Sequence, residues 1–237
     1  MENQLRQWGY SSFQWIEGEE TDTQAFVAQK DNYQMISFRG TESLTDIITD
    51  VWFRKIAVYG GKGKVHAGFE GAVDEIWKDL VKTLDKRKNI YISGHSLGGA
   101  LAQLMAFRLA INNYKVFGVY TYGSPRVGNE KFKSEYDARL AEKTFLHINH
   151  LDMVATVPPE YLGFINLGNM ESQFNDKHDI EVTNTKGNVV NTYDELEYSQ
   201  LGANTKEKLN DRMAEVAASI EASSKFLRVS SHVLESN

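Results

Sequence analysis

The sequence predicts an α/β fold in which helices flank a mostly parallel sheet. Short β-rich runs alternate with helical patterns over the first 150 residues, an order typical of parallel strands with helices on both faces. One strand-to-helix junction is a glycine-rich turn with Ser96 at its centre. Because no repeat, low-complexity tract or linker divides the 237 residues, we expect residues 1–237 to form a single domain.

The predicted elements begin with a hairpin and a helix. Residues 25–28 and 33–38 are rich in β-formers and flank a turn at residues 30–32, which predicts two paired strands. Apolar residues then recur at helical spacing from Phe69 to Leu84. The remaining predictions are strands at 90–93, 116–122 and 144–148, a helix after Ser96, one or two hairpins within 163–192 and a long helix from about Asn204.

Composition narrows the classes of function. The net charge is −6 and there is no basic run, which argues against nucleic-acid binding. The absence of cysteine excludes disulfides and thiolate metal sites. Residues 1–7 contain no apolar signal segment, and no stretch approaches the ~20 apolar residues of a membrane span. The default expectation is a cytoplasmic protein, although secretion stays open because a removed signal would leave the same sequence.

The glycine-rich turn is the strongest indication of chemistry. It reads G-x-S-x-G, with Ser96 between Gly94 and Gly98. A serine on a sharp turn between strand and helix exposes its hydroxyl in a strained backbone conformation. The helix that begins near Leu97 directs free N–H groups and a positive dipole end at the group that Ser96 attacks. This context predicts an acyl-transfer nucleophile.

Two further segments supply candidates for the oxyanion hole and the acid. The second oxyanion donor belongs in a loop after an earlier strand, and Thr41 follows the strand that ends at Phe38. Leu97, directly after the nucleophile, provides the first donor. The order serine, acid, histidine then favours Asp152, which lies just past the strand ending near Ile148. Ordinary roles as a strand exit and a loop cap are the alternatives for these two segments.

Chain order leaves two candidates for the triad histidine. Histidines 66, 95, 147 and 150 all precede Asp152 or Ser96 in the chain. His178 lies in the predicted hairpin region, whereas His232 follows the long C-terminal helix. Between the oxyanion loop and residue 53, apolar residues at helical spacing predict either a core helix or a mobile lid. The apolar face of that lid is Leu44, Ile47 and Ile48.

These segments together resemble the class 3 lipases, the fungal-lipase-like branch of the α/β-hydrolases. The motifs that carry the resemblance are F-R-G-T at 38–41, H-A-G-F at 66–69, G-H-S-L-G-G at 94–99, Y-G-S-P-R-V-G-N at 122–129 and the acid region at 152–159. The resemblance implies an α/β-hydrolase fold with a short helical lid after the oxyanion strand. It further implies that Asp50 fixes the oxyanion hydroxyl and that His232 completes the triad, although the family's neighbouring acid and aromatic residues are missing there.

The function implied by the resemblance is hydrolysis of carboxylic esters, most often acylglycerols, without a cofactor or metal. The expected partners are a lipid or other ester substrate and, transiently, a lipid interface. Phospholipase A1 and feruloyl-type esterase activities are alternatives, because pocket shape decides acyl and alcohol preference. A lipase-fold interaction module without activity is a further alternative, since a fold does not by itself secure a function.

Overall fold

A parallel sheet with antiparallel edges organises the protein. The computed structural model describes residues 2–40, 54–149, 154–168, 170–174, 180–184 and 189–193. Within these ranges, nine strands form one sheet and two more form a small ribbon. The sheet strands are β1 (Ser12–Gly18), β2 (Thr23–Gln29), β3 (Tyr33–Phe38), β6 (Asn89–His95), β7 (Lys115–Tyr122), β8 (Thr144–Asn149), β9 (Met170–Phe174), β10 (Ile180–Asn184) and β11 (Val189–Tyr193). The ribbon pairs β4 (Lys55–Ala57) with β5 (Lys64–His66).

The parallel part of the sheet lies in its middle. The strand order is β1-β2-β3-β6-β7-β8-β9-β10-β11. Strands β3, β6, β7, β8 and β9 run parallel to one another. The edge pairs β1-β2, β2-β3, β9-β10 and β10-β11 are antiparallel. Ligands of open α/β sheets bind outside the carboxyl ends of the parallel strands. The exits of β3, β6, β7 and β8 therefore define the edge where a site is expected.

Four α-helices are described: α1 (Glu2–Gln7), α2 (Ala67–Lys82), α3 (Leu97–Ile111) and α4 (Glu130–Leu140). His66 is the N-cap of helix α2, and its side chain accepts a hydrogen bond from the Phe69 N–H. Asn129 is the N-cap of helix α4, and its side chain accepts a hydrogen bond from the Phe132 N–H. Both caps satisfy amide groups that the first turn of a helix leaves without an internal partner.

Helix α3 is the centre of the core. It packs against β3, β6, β7 and helix α2, and its residues from Gly98 to Phe107 are all buried. Helix α2 instead buries one stripe, made of Phe69, Ala72, Val73, Ile76 and Leu80. The two helices bury different fractions of their surface because α3 is apolar on all sides, whereas α2 is apolar along one stripe. A helix that is apolar on all sides must pack against neighbours on all sides. The strand-to-helix turn before α3 is therefore attached to the best-packed element of the described core.

The predicted α/β architecture is confirmed, with element bounds that differ by a few residues. The helical stripe predicted from Phe69 to Leu84 corresponds to α2, and the strand predicted at 90–93 extends over Asn89–His95. The prediction of one or two hairpins within 163–192 corresponds to the pairs β9-β10 and β10-β11. The helix predicted from Asn204 lies outside the described residues. In the part of the chain described, none of the helices is both long and apolar enough to span a bilayer.

Candidate active site

Ser96 occupies the turn between β6 and α3 in an unusual backbone conformation. Its φ is 54° and its ψ is −127°, a combination that costs a non-glycine residue about 1–3 kcal/mol. Two hydrogen bonds hold the turn: the Ser96 N–H donates to the carbonyl of Tyr122 (2.8 Å), and the Ser96 carbonyl accepts from the Gly99 N–H (2.9 Å). The neighbouring strand β7 and the first turn of α3 therefore impose the strained conformation.

The glycines on either side of Ser96 are required by close backbone contacts. A Cβ atom at Gly94 would lie 2.1 Å from the Gly98 carbonyl oxygen, and one at Gly98 would lie 2.5 Å from the Phe38 carbonyl oxygen. Side-chain carbon atoms do not approach backbone oxygens so closely, so only glycine fits at these two positions. The G-x-S-x-G spacing thus reflects the packing of β6 against α3 and the exit of β3.

The Ser96 hydroxyl is buried and makes no hydrogen bond in the described part of the chain. The residue is 1% exposed, and within the described ranges its Oγ has no hydrogen-bond partner. A buried hydroxyl without a partner costs about 1–3 kcal/mol. Such a cost is typical of a functional group whose partner comes from another part of the chain or from a ligand.

The exit of β3 lies directly against the serine turn. A Cβ atom at Gly40 would be 2.7 Å from the His95 carbonyl oxygen and 3.5 Å from the Ser96 Cβ. Leu97 is the first residue of α3, and the first N–H groups of a helix have no internal partner. The polypeptide that leads to Thr41 therefore lies against Ser96 and the first turn of α3. Thr41 itself lies outside the described residues.

The three described histidines have different environments. His66 caps α2, is 4% exposed and packs on Phe69 with ring centroids 4.1 Å apart. His147 lies on β8 and stacks on Tyr122 at 4.9 Å. Burial lowers the pKa of both His66 and His147 to about 4, so both are neutral near pH 7. His95 is exposed at the end of β6.

Arg126 connects the exits of β7 and β8. Its backbone N–H donates to the Val157 carbonyl (2.8 Å), and its Nη1 donates to the carbonyls of Thr156 (2.5 Å) and Pro158 (3.3 Å). Its Nη2 donates to Glu160 at 3.0 Å. The Y-G-S-P-R-V-G-N motif marked this segment in the sequence, but nothing in the spacing indicated which residues the arginine contacts.

A side-chain hydrogen bond joins helix α3 to the loop after β7. Gln103, 3% exposed on α3, donates from its Nε2 to the Oγ of Ser124 at 2.8 Å. Ser124 in turn donates to the Pro125 carbonyl at 3.1 Å. Sequence reasoning missed this contact, because Gln103 reads as one more residue of an apolar helix. It links the interior of α3 to the loop that follows β7.

All the other predicted site residues lie outside the described part of the chain. They are Thr41, Leu44, Ile47, Ile48, Asp50, Asp152, His178 and His232. Of the predicted site residues, the structure therefore brings together Ser96 and Leu97. In the described ranges, no group of three or more histidine or acidic residues is arranged to hold a metal ion.

Comparison with known proteins identifies relatives over the same region. The family model described as Lipase (class 3) matches residues 35–162. A lipase of Rhizomucor miehei is 35% identical over 161 residues, which cover 62% of this chain and 44% of that protein. The secreted mono- and diacylglycerol lipase LIP1 of Malassezia globosa is 35% identical over 118 residues, covering 47% of this chain and 39% of the relative. This chain therefore matches less than half the length of each.

A solved structure shares the architecture. The triacylglyceride lipase of Rhizomucor miehei superposes with a TM-score of 0.66 and 26% identity, over 76% of this chain and 72% of that one. The expected cytoplasmic location is contradicted, because relatives such as the Malassezia globosa enzyme are named as secreted. The expectation was wrong because the first residues of a sequence do not determine the compartment in which the protein works.

The family model and the shared architecture lead to one assignment. The matched region, residues 35–162, is more than half of the chain and contains the turn at Ser96, the exit of β3 and the Arg126 loop. This chain belongs to the class 3 lipase family and has the α/β-hydrolase fold.

Proposed function

We propose that this chain is a serine carboxylester hydrolase that cleaves acyl esters, with acylglycerols as the substrate class. The observation that carries the proposal is the buried hydroxyl of Ser96, which has no partner in the described ranges and is held at φ 54° at the start of α3. The names of the relatives, which include lipase, mono- and diacylglycerol lipase and triacylglyceride lipase, support the substrate class.

The proposed reaction has two steps and needs no cofactor. The Ser96 Oγ attacks the ester carbonyl while His232 accepts its proton, and the tetrahedral intermediate expels the alcohol, to which His232 returns that proton. Water then attacks the acyl-enzyme with the same base, which releases the carboxylic acid and restores Ser96. Asp152 orients the imidazole and stabilises the imidazolium.

The proposed oxyanion hole combines Leu97 with Thr41. The Leu97 N–H belongs to the first turn of α3, where the helix dipole also favours developing negative charge. The Thr41 N–H and hydroxyl supply the second donor group, and Asp50 anchors that hydroxyl. The close approach of Gly40 to His95 and Ser96 supports this arrangement.

We further propose that Leu44, Ile47 and Ile48 form the apolar face of a lid over the acyl pocket. In aqueous solution the lid would keep its apolar face packed against the protein, and at a lipid surface it would expose that face. Transient binding to the interface would thus be coupled to substrate entry. Replacing two of these residues by serine should then lower activity on aggregated long-chain esters more than on dissolved short-chain esters. Equal losses on both, together with a lower melting temperature, would indicate a core helix.

A fluorophosphonate probe tests the proposed function directly. The probe should label wild-type protein at Ser96 and leave Ser96→Ala unlabelled, because only an activated serine attacks phosphorus at a useful rate. Parallel assays with acylglycerols, a phospholipid and a feruloyl ester then define the substrate class. A folded wild-type chain that neither labels nor hydrolyses any ester would indicate an inactive interaction module.

The identity of the proton acceptor needs a separate pair of variants. His232→Ala should abolish ester hydrolysis, since serine without its general base is a weak nucleophile at neutral pH. His178→Ala is the matched control and should retain turnover close to wild type. If His178→Ala loses activity and His232→Ala retains it, the assignment reverses.

A further inference from the structure

Arg126 spans two of the strand exits that bound the proposed active site. It lies in the loop after β7, four residues past Tyr122, whose carbonyl accepts the hydrogen bond from the Ser96 N–H. Its contacts fall on residues 156–160, which follow Asp152 after the exit of β8. One side chain thus connects the loop that holds the nucleophile turn with the segment that follows the proposed acid.

The carbonyl contacts are the stronger part of this connection. Three backbone carbonyls in a row, those of Thr156, Val157 and Pro158, accept hydrogen bonds from the backbone or side chain of Arg126. The Arg126 side chain is 12% exposed, whereas Glu160, its carboxylate partner, is 70% exposed. Because an exposed ion pair contributes little, whereas the carbonyl contacts join Arg126 to three consecutive residues, the carbonyl contacts and not the ion pair fix the segment.

A planar guanidinium is required for this geometry. Its Nη1 serves two carbonyls and its Nη2 reaches a third acceptor, so the N–H groups point in several fixed directions at once. A lysine ammonium at the same place is a single point and cannot reproduce that fork. The Val157 N–H donates to the Val154 carbonyl (3.1 Å) and the Leu162 N–H donates to the Pro159 carbonyl (3.0 Å), and the arginine adds hydrogen bonds to the carbonyls between these two.

We propose that Arg126 is a positioning residue of the triad, which sets the place of the Asp152 carboxylate by fixing the segment behind it. This inference rests on the proposed function, in which Asp152 orients the imidazole. Arg126 touches neither substrate nor the reacting atoms in this proposal, and it acts only through the polypeptide of residues 154–160.

The expected signature separates positioning from simple stability. When the carboxylate moves away from the imidazole, the imidazolium loses stabilisation and its pKa falls. Arg126→Ala should therefore lower kcat by about 10²-fold, the effect of a displacement of roughly 1 Å, with KM changed less than about twofold. The acid limb of the kcat/KM profile should also move to lower pH. A purely structural contact would lower the melting temperature without moving that limb.

The experiment compares four variants of the full chain with wild type, assayed well below each melting temperature. Arg126→Lys keeps the charge and folds more readily than Arg126→Ala, and it should lose kcat and shift the acid limb in the same direction. Glu160→Gln removes only the exposed ion pair and should leave kcat unchanged. Arg87→Ala, at an arginine 89% exposed and paired with Asp85 at the start of β6, controls for loss of charge.

The outcomes distinguish this inference from the proposed function. Loss of kcat with a shifted acid limb in both Arg126 variants supports the positioning role. Full kcat and an unshifted limb in folded Arg126→Lys, or an equal loss in Arg87→Ala, would overturn it while wild-type hydrolysis leaves the proposed function intact. A wild-type chain that neither reacts with the fluorophosphonate probe nor hydrolyses esters would overturn both.

Discussion

The exits of β6 and β8 carry the proposed nucleophile and acid, but they are held in different ways. At the exit of β6, backbone packs directly on backbone, since Gly94 and Gly98 leave no room for a Cβ atom. After the exit of β8, one long side chain, Arg126, holds the polypeptide through hydrogen bonds to its carbonyls. We call the first region rigid, because it has no room for a larger side chain, and the second adjustable, because a long side chain makes these contacts.

The largest expected effect tests the chemistry of the rigid region. Ser96→Ala should reduce kcat by about 10⁶-fold, as loss of a triad serine does. The melting temperature should stay equal or rise slightly, because the lost hydroxyl is buried and has no partner in the described ranges. Ester turnover and calorimetry measure the two quantities. Activity within tenfold of wild type would exclude Ser96 as nucleophile.

The next prediction tests whether the packing at the exit of β6 requires a residue without a Cβ atom at Gly98. Gly98→Ala should destabilise the fold by at least about 3 kcal/mol, since its Cβ would meet the Phe38 carbonyl oxygen at 2.5 Å and backbone atoms cannot move aside easily. Urea unfolding monitored by tryptophan fluorescence gives the free energy of unfolding. A decrease of less than 1 kcal/mol in the free energy of unfolding would show that β3 can shift to make room. The exit of β6 would then be no more rigid than the segment after β8.

A third prediction concerns acid sensitivity on the adjustable side. The backbone N–H of His66 donates to the Val127 carbonyl at 2.9 Å, next to Arg126. Burial lowers the pKa of the His66 imidazole to about 4. The unfolded chain therefore binds more protons between pH 6.5 and 4, so folding stability falls as pH falls through this window. We expect this histidine to contribute a loss of about 2 kcal/mol between pH 7 and 4.5.

The matched variant for that prediction is His66→Asn. Asparagine retains a side chain that can cap α2 but does not titrate in this range. Urea unfolding at pH 7 and pH 4.5 should show a smaller acid loss in the variant than in wild type. An identical loss in both would assign the acid sensitivity to other groups, among them His147, whose pKa is also lowered.

The smallest expected effect is a control for the glycine argument. Gly71 lies inside α2, and a Cβ atom there would meet nothing within 4 Å. Gly71→Ala should therefore raise the free energy of unfolding by about 0.5–1 kcal/mol, the difference in helix propensity. The same substitution thus has opposite signs at Gly71 and Gly98, and the same urea experiment measures both.

The sequence predicted the elements that are determined by local apolar periodicity and by turn-forming residues. The stripe of α2, the strand before Ser96 and the hairpins near the end of the sheet each have a repeating pattern or a glycine-rich turn that indicates them. The predicted place of Ser96 followed from two glycines flanking it, because only a tight turn needs both. In each case the information lies within about fifteen residues.

Long-range contacts could not be predicted in the same way. Arg126 meets carbonyls about thirty residues further along the chain, and backbone acceptors have no sequence signature. The pairing of Gln103 with Ser124 depends on how α3 rotates against the loop after β7. The roles of Thr41, Asp50, Asp152 and His232 stay predictions, because these residues lie outside the described part of the chain.

The burial of α3 on all sides has a consequence for hydrogen exchange. Amide protons inside such a helix are expected to exchange with solvent only when the whole domain unfolds. The N-terminus of α3, next to Ser96, is thus anchored to a slowly exchanging element of the described core, whereas the exposed turn at Glu160–Leu162 should open locally. Time-resolved deuterium uptake would then show a protected nucleophile turn and faster exchange in the turn at Glu160–Leu162.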